Sequence, residues 1–265
     1  MPPSQCAATL FPFFAASGSM VLTTLAISGA SATAMFGISS ESDAQIRAPM
    51  SANLNLTREN ITMHQEIPTF APKNSALLLI DHQTGTMQLI KNIPLAVAKR
   101  NALALAKVAK ILNMPVVLTS SQEEMFQGPL LPELADIVPE AFAARVKRTG
   151  IVNAWDDKNF VAAVEKTGRK NLVMAGVTTD ICLVFPAISA VRAGYNVQAV
   201  MDASGSPFEL SEEMARRRME SEGIVLTATN TMIAELTQDW SQPLAPKIRE
   251  VLHGEVMAEV LPQHK

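Results

Sequence analysis

Little in this chain invites a disulfide, a metal ion or a polyanion. Among its 265 residues there are two cysteines, Cys6 and Cys182. That is too few for a disulfide framework, and their contexts differ so much that no bond between them is expected. The four histidines, His64, His82, His253 and His264, are scattered without metal-ligand spacing, so no metal and no cofactor are expected. A formal net charge of -3 gives no hint of a nucleic-acid or anionic-membrane partner. No internal repeat is visible. What the chain does have is apolar mass. Hydrophobic residues make up 48% and charged residues 18%, enough to bury a substantial core. The 14 methionines read as adaptable core filler.

Charge is also missing locally: residues 1–40 contain none, and Glu41 is the first. Within them Met20–Ala30 is apolar and is followed by Ala32-Thr33-Ala34. That partly resembles a signal peptide without its basic leader. Gly, Ser, Thr and Pro break any run of about 20 apolar residues there, which argues against a spanning helix. The other reading is a natural start downstream, at Met50 or Met63. The expected compartment is the cytoplasm, with export the alternative if residues 1–40 act as a signal peptide. Residues 41–74 are polar, with Pro49, Pro68 and Pro72, and read as a linker or arm.

From Ser75 onward apolar runs and helical patterns alternate. Ala76–Ile80, Pro115–Thr119, Ala144–Arg148, Leu172–Ala175, Val197–Met201 and Ile224–Thr227 read as strands. Between or after them come helices at Leu95–Leu112, Lys158–Thr167, Asp180–Ala193, Ser211–Glu222, with Ser211 as N-cap, and Thr231–Gln238. Gly168 and Gly194 suit helix ends. Ser120–Pro132 is a polar loop long enough to help form a site. The domain spans residues 75–240, and 241–265 form a C-terminal helical tail with a last helix at Pro246–Val260. Strands of Val, Leu and Ile without polar alternation indicate a parallel sheet covered on both faces, an α/β three-layer sandwich of Rossmann-like type. Ligands in such sheets bind beyond the carboxyl ends of the strands. Asp81, Arg148, the Thr178–Cys182 corner and Asp202 all stand at such ends.

Cys182 follows a strand and a Gly176-Val177-Thr178-Thr179-Asp180 corner, in the first turn of the helix. There the helix dipole favours the thiolate, the form that attacks carbonyls. Taken alone, such a cysteine is more often a small buried hydrophobe. Its company at neighbouring strand ends favours a nucleophile.

LLLIDHQTG (77–85), KRTGIVNAWDD (147–157), MAGVTTDICLVFPAISA (174–190) and VMDASG (200–205), in that order, resemble the isochorismatase-like cysteine hydrolases, closest to their YcaC-related subgroup. The resemblance implies six parallel strands in the order 3-2-1-4-5-6. It also implies a triad of Asp81 as base, Cys182 as nucleophile and a cation, either Arg148 or Lys147. Strand alternation admits only one of the two cations to the pocket, and spacing favours Arg148. A cis peptide between Val177 and Thr178 is implied as well, turning the Thr178 amide to join that of Cys182 in an oxyanion hole. Gln83, Ser121, Asn153 and Trp155 are candidate pocket residues. His82, without further histidines at short spacing, reads as packed or hydrogen-bonded. Asp202 reads as a structural turn carboxylate.

The expected function is hydrolysis of a C–N, amide-type bond in a small molecule through a Cys182 thioester. The expected assembly is a homo-oligomer, an octamer by resemblance. Acyl transfer and isochorismate-type ether cleavage are related options; the latter does not need the cysteine. The alternative outside enzymology is a non-catalytic oligomeric binding protein that kept the fold. A dinucleotide oxidoreductase needs a Gly-rich first β-α turn, and Asp81-His82-Gln83-Thr84-Gly85 is not one.

Overall fold

The computed structural model describes residues 69–258 and 260. The signal-peptide, downstream-start and most of the linker readings lie outside these residues. The end of the expected arm is not a linker: Phe70 is buried, and its N–H donates to Glu235 at 2.9 Å.

Six parallel strands, β1 (Ser75–Ile80), β2 (Val116–Ser121), β3 (Val146–Arg148), β4 (Asn171–Gly176), β5 (Asn196–Val200) and β6 (Val225–Thr227), form one sheet. The order is β3-β2-β1-β4-β5-β6, as the resemblance implied. The register sets Ile80 beside Thr119 on one side and Gly176 on the other, so β1 and β4 end together while β2 runs on to Ser121 beside Arg148. Successive strand side chains face opposite ways. Leu77 and Leu79 therefore pack on one face, under α1 (Leu95–Ile111), α2 (Glu133–Ile137) and the later α7 (Thr229–Thr237) and α8 (Ala245–Val251). Ala76, Leu78 and Ile80 pack on the other face, with α4 (Lys158–Lys166), α5 (Val184–Arg192) and α6 (Glu209–Ser221). Each fully buried leucine contributes about 1.5–3 kcal/mol relative to exposure.

Local differences from the sequence reading have local causes. β3 is shorter than expected because Ala144 is the C-cap of α3 (Pro139–Ala143). Neither α2 nor α3 follows from periodicity; five residues are too few to show it. Ser211 is not an N-cap: α6 begins two residues earlier, after extended Phe208, and the Ser211 hydroxyl donates to the Phe208 carbonyl. The C-terminal segment is more than a tail, since Ile248 and Leu252 belong to the core beside α1. No helix among the described residues is long and apolar enough to cross a membrane.

Candidate active site

Asp81 is the first residue past β1. Its backbone turns into the left-handed region, φ 58°, while its N–H still reaches the Thr119 carbonyl at 3.0 Å. Few residues other than glycine adopt that conformation, aspartate among the more tolerant. The turn leaves the carboxylate buried at the sheet's end.

Arg148, the last residue of β3, crosses the end of β2 to reach it. Its Nε donates to Thr119 Oγ1 at 3.0 Å and its Nη1 to the Ile151 carbonyl at 2.6 Å. Its Nη2 pairs with both Asp81 oxygens. Lys147 takes the opposite side of the strand: its side chain is 57% exposed and its ammonium pairs with Glu123 at 2.8 Å. Glu123 also receives Arg145, whose hydrogen bond is the main reason its carboxyl falls to about 2. Of the two candidate cations, the one in the site is Arg148.

Cys182 arrives from β4. The Val177–Thr178 peptide is cis. The chain then makes one wide π turn, Thr179–Leu183, before α5 begins. Gly176 permits this fold-back: a Cβ there would stand 3.1 Å from Leu183 Cβ and 3.2 Å from the Cys182 carbonyl. Cys182 thus lies in the π turn and not in the first turn of a regular helix. The expected thiolate preference is not met either. Burial pushes the thiol well above its ordinary value, and the neighbouring Asp81 carboxylate adds to this. Arg148 and the Thr178 amide, which faces the sulfur, oppose the rise. Asp81 is itself raised by burial, against the pull of Arg148 and of its hydrogen bond with the Cys182 thiol.

The expected pair of free amides is reduced to one. The Cys182 N–H donates to the Thr178 carbonyl at 2.8 Å, whereas the Thr178 N–H has no oxygen acceptor among the described residues. Asp81, Arg148, Thr178 and Cys182 line one cavity of about 220 Å³, together with Gln83 and Ser121. The Gln83 amide is fully engaged in holding the loop after β2. Its Nε2 donates to the Ser121 and Gly128 carbonyls, and its Oε1 accepts from the Ser121 N–H.

Asn153 and Trp155 do not line this cavity. Asn153 accepts from the Trp155 N–H and donates to Ser189 Oγ, capping a short turn. Trp155 packs edge-on against Phe160 and Tyr195, in the core between β3, α4 and α5. Their place in the motif reflects packing. His82 is buried, with Nε2 2.8 Å from the Ala203 carbonyl, and burial lowers its pKa to about 4. Asp202 accepts from the Thr229 N–H and hydroxyl at the start of α7, the structural part expected of it. Among the described residues no group of three or more His, Cys, Asp or Glu stands close enough to hold a metal. No sequence pattern marks Thr119, which orients Arg148, or Thr86 and Gln127 on the cavity wall. Each is an ordinary polar residue until the fold assembles them.

Residues 75–231 match the isochorismatase domain model. The chain is 41% identical over 167 residues to the probable hydrolase YcaC of Escherichia coli, covering 63% of this chain and 79% of that one. It resembles the crystal structure of Escherichia coli YcaC, an octameric hydrolase of unknown specificity, at 38% identity and a TM-score of 0.65, over 70% of this chain and 95% of that one. It also resembles YcaC from Pseudomonas aeruginosa with hexane-2,5-diol and covalent acrylamide. There the identity is 37% and the TM-score 0.68, over 72% of this chain and 93% of that one.

Proposed function

The chain belongs to the isochorismatase family, among its YcaC-related hydrolases, and from that premise we propose that it is a cysteine hydrolase cleaving the C–N bond of a small amide. The observation that carries this reading is Cys182 on one cavity with Asp81, itself paired with Arg148.

The chemistry runs in two halves. The thiol proton passes to Asp81 as the sulfur attacks the amide carbonyl carbon, forming a C–S bond and an oxyanion. The Thr178 N–H is the amide free to receive that oxyanion, and Arg148 stabilises the added charge through space. The C–N bond then breaks, the nitrogen takes the proton from Asp81, and the amine leaves a thioester. In the second half Asp81 takes a proton from water, the hydroxide oxygen bonds the thioester carbon, and the C–S bond breaks. The sulfur recovers the proton, and a carboxylic acid departs. Arginine does not give up its proton at ordinary pH, so Arg148 has only an electrostatic part and Asp81 carries every transfer.

Acrylamide is an alkylating agent that nucleophiles capture, so covalent acrylamide on the Pseudomonas aeruginosa relative supports a nucleophile in this fold. The octameric Escherichia coli relative supports a homo-oligomer here. The competing reading, a binding protein that kept the fold, draws on the raised thiol. Turnover of an amide panel by the wild type and by Cys182→Ala separates the two. The hydrolase reading expects loss of turnover in the variant, together with a thioester-mass adduct on the wild type by intact-mass spectrometry. Equal turnover by both proteins sinks it.

A further inference from the structure

Every formal charge lining the cavity belongs to Asp81 or Arg148, and those two face each other. All three guanidinium nitrogens of Arg148 already have acceptors: Thr119, the Ile151 carbonyl and Asp81. An anionic substituent on a substrate therefore finds no uncommitted cation in the cavity, only the Asp81 carboxylate. Taking an unpaired charge out of water is strongly unfavourable.

The neutral wall is different. Thr86 and Gln127 both line the cavity, and Thr86 Oγ1 and Gln127 Oε1 are shielded from solvent without a hydrogen-bond partner. Thr86 itself is only 5% exposed. Buried polar atoms are nearly always partnered, so two unpartnered ones on one wall point to a ligand. They sit on adjoining backbone: the Thr86 and Gly85 N–H groups both donate to the Gln127 carbonyl, at 3.4 and 2.8 Å. The Gln127 carboxamide donates through Nε2 to Gln122 Oε1, leaving Oε1 as an acceptor. A hydroxyl and a carboxamide oxygen can accept the two N–H groups of a primary amide. Around them the rim is apolar and solvent-facing, with Leu89, Phe126, Ile151, Val152 and Ile181.

We propose that the site selects uncharged primary amides carrying a short apolar acyl group. Thr86 Oγ1 and Gln127 Oε1 take the –NH2, the rim takes the acyl chain, and carboxylate-bearing analogues are rejected. This rests on the cysteine-hydrolase reading for its reaction but not for its selectivity. The test accordingly uses alkylation, which needs no hydrolysis. Cys182 is alkylated in the full-length protein with iodoacetamide, a neutral primary amide, and with iodoacetate, its anionic counterpart. The rate ratio is compared with that for glutathione. The expected ratio exceeds the glutathione ratio at least about tenfold. It collapses toward the glutathione value in Thr86→Val and is retained in Thr86→Ser, which keeps the hydroxyl. A ratio equal to that of glutathione, or a Cys182 that iodoacetamide does not reach, overturns the proposal. So does a Thr86→Val variant that is folded and keeps full selectivity. Failure of the hydrolase reading shows separately, as amide turnover that survives Cys182→Ala.

Discussion

One nitrogen of Arg148, Nη2, faces both carboxylate oxygens of Asp81, and both side chains are almost wholly out of solvent. A buried pair of this kind is a net cost or gain of modest size when intact, but breaking it leaves a buried charge alone. Arg148→Met is expected to lower unfolding stability by about 3–5 kcal/mol, read by urea denaturation. Lys147→Met, which removes a largely exposed ammonium, should cost no more than about 1 kcal/mol. Similar losses in the two variants would contradict the assignment of Arg148 as the site's cation.

Asp81 is predicted to set the ionisation of Cys182. Its negative charge helps hold the thiol above the ordinary value, whereas Arg148 pulls it down. Asp81→Asn removes the first influence and frees the second. The pH midpoint of Cys182 alkylation should move to lower pH, while amide turnover falls by about 10²–10⁴-fold for want of a base. A midpoint that stays put, or moves up, would show that Asp81 does not act on the sulfur.

His82 makes stability depend on pH in a defined window. Its pKa is about 4 in the fold against about 6.5 in an unfolded chain. Between these values the unfolded state binds the extra proton, so stability is complete above the upper value and declines as pH falls toward the lower one. The full loss is roughly 3 kcal/mol. His82→Gln should flatten the decline across that window in a series of denaturation curves. A variant as pH-sensitive as the wild type would exclude His82 as its source.

Gly85 decides where the cavity wall stands. Its φ is an ordinary -81°, but a Cβ would come 1.7 Å from the Phe126 carbonyl oxygen. Gly85→Ala must push the loop after β2 outward, at a cost of about 1–3 kcal/mol. Because Thr86 and Gln127 face the cavity from either side of that contact, KM for amides should rise more than kcat falls. Unchanged KM in a folded variant would separate the loop from substrate binding.

The gathering of Asp81, Arg148 and Cys182 at strand ends was legible because these residues lie in contiguous motifs, and the strand order because those motifs resemble the family's. Runs of Val, Leu and Ile show that a parallel sheet forms, whereas which face each residue takes depends on the helices that cover it. Boundaries were less legible where short helices such as α2 and α3 hold too few turns to show a period.

What the sequence by itself determined was the family motifs, the sheet, and the residue types that meet at its end. Tertiary structure alone decided their chemical state and their neighbours. The local rule of a helix N-terminus pointed to a thiolate at Cys182, but burial beside Asp81 outweighs it, because desolvation depends on everything packed around the sulfur. Asn153 and Trp155 stand in the same motif region as Arg148, yet they serve a turn and an aromatic cluster, since proximity in sequence does not fix which way a side chain faces. Thr86 and Gln127 lie 41 residues apart. Only a close backbone approach at Gly85 sets them on one wall, a contact written in no local pattern and created when the sheet closes the loop onto the end of β1.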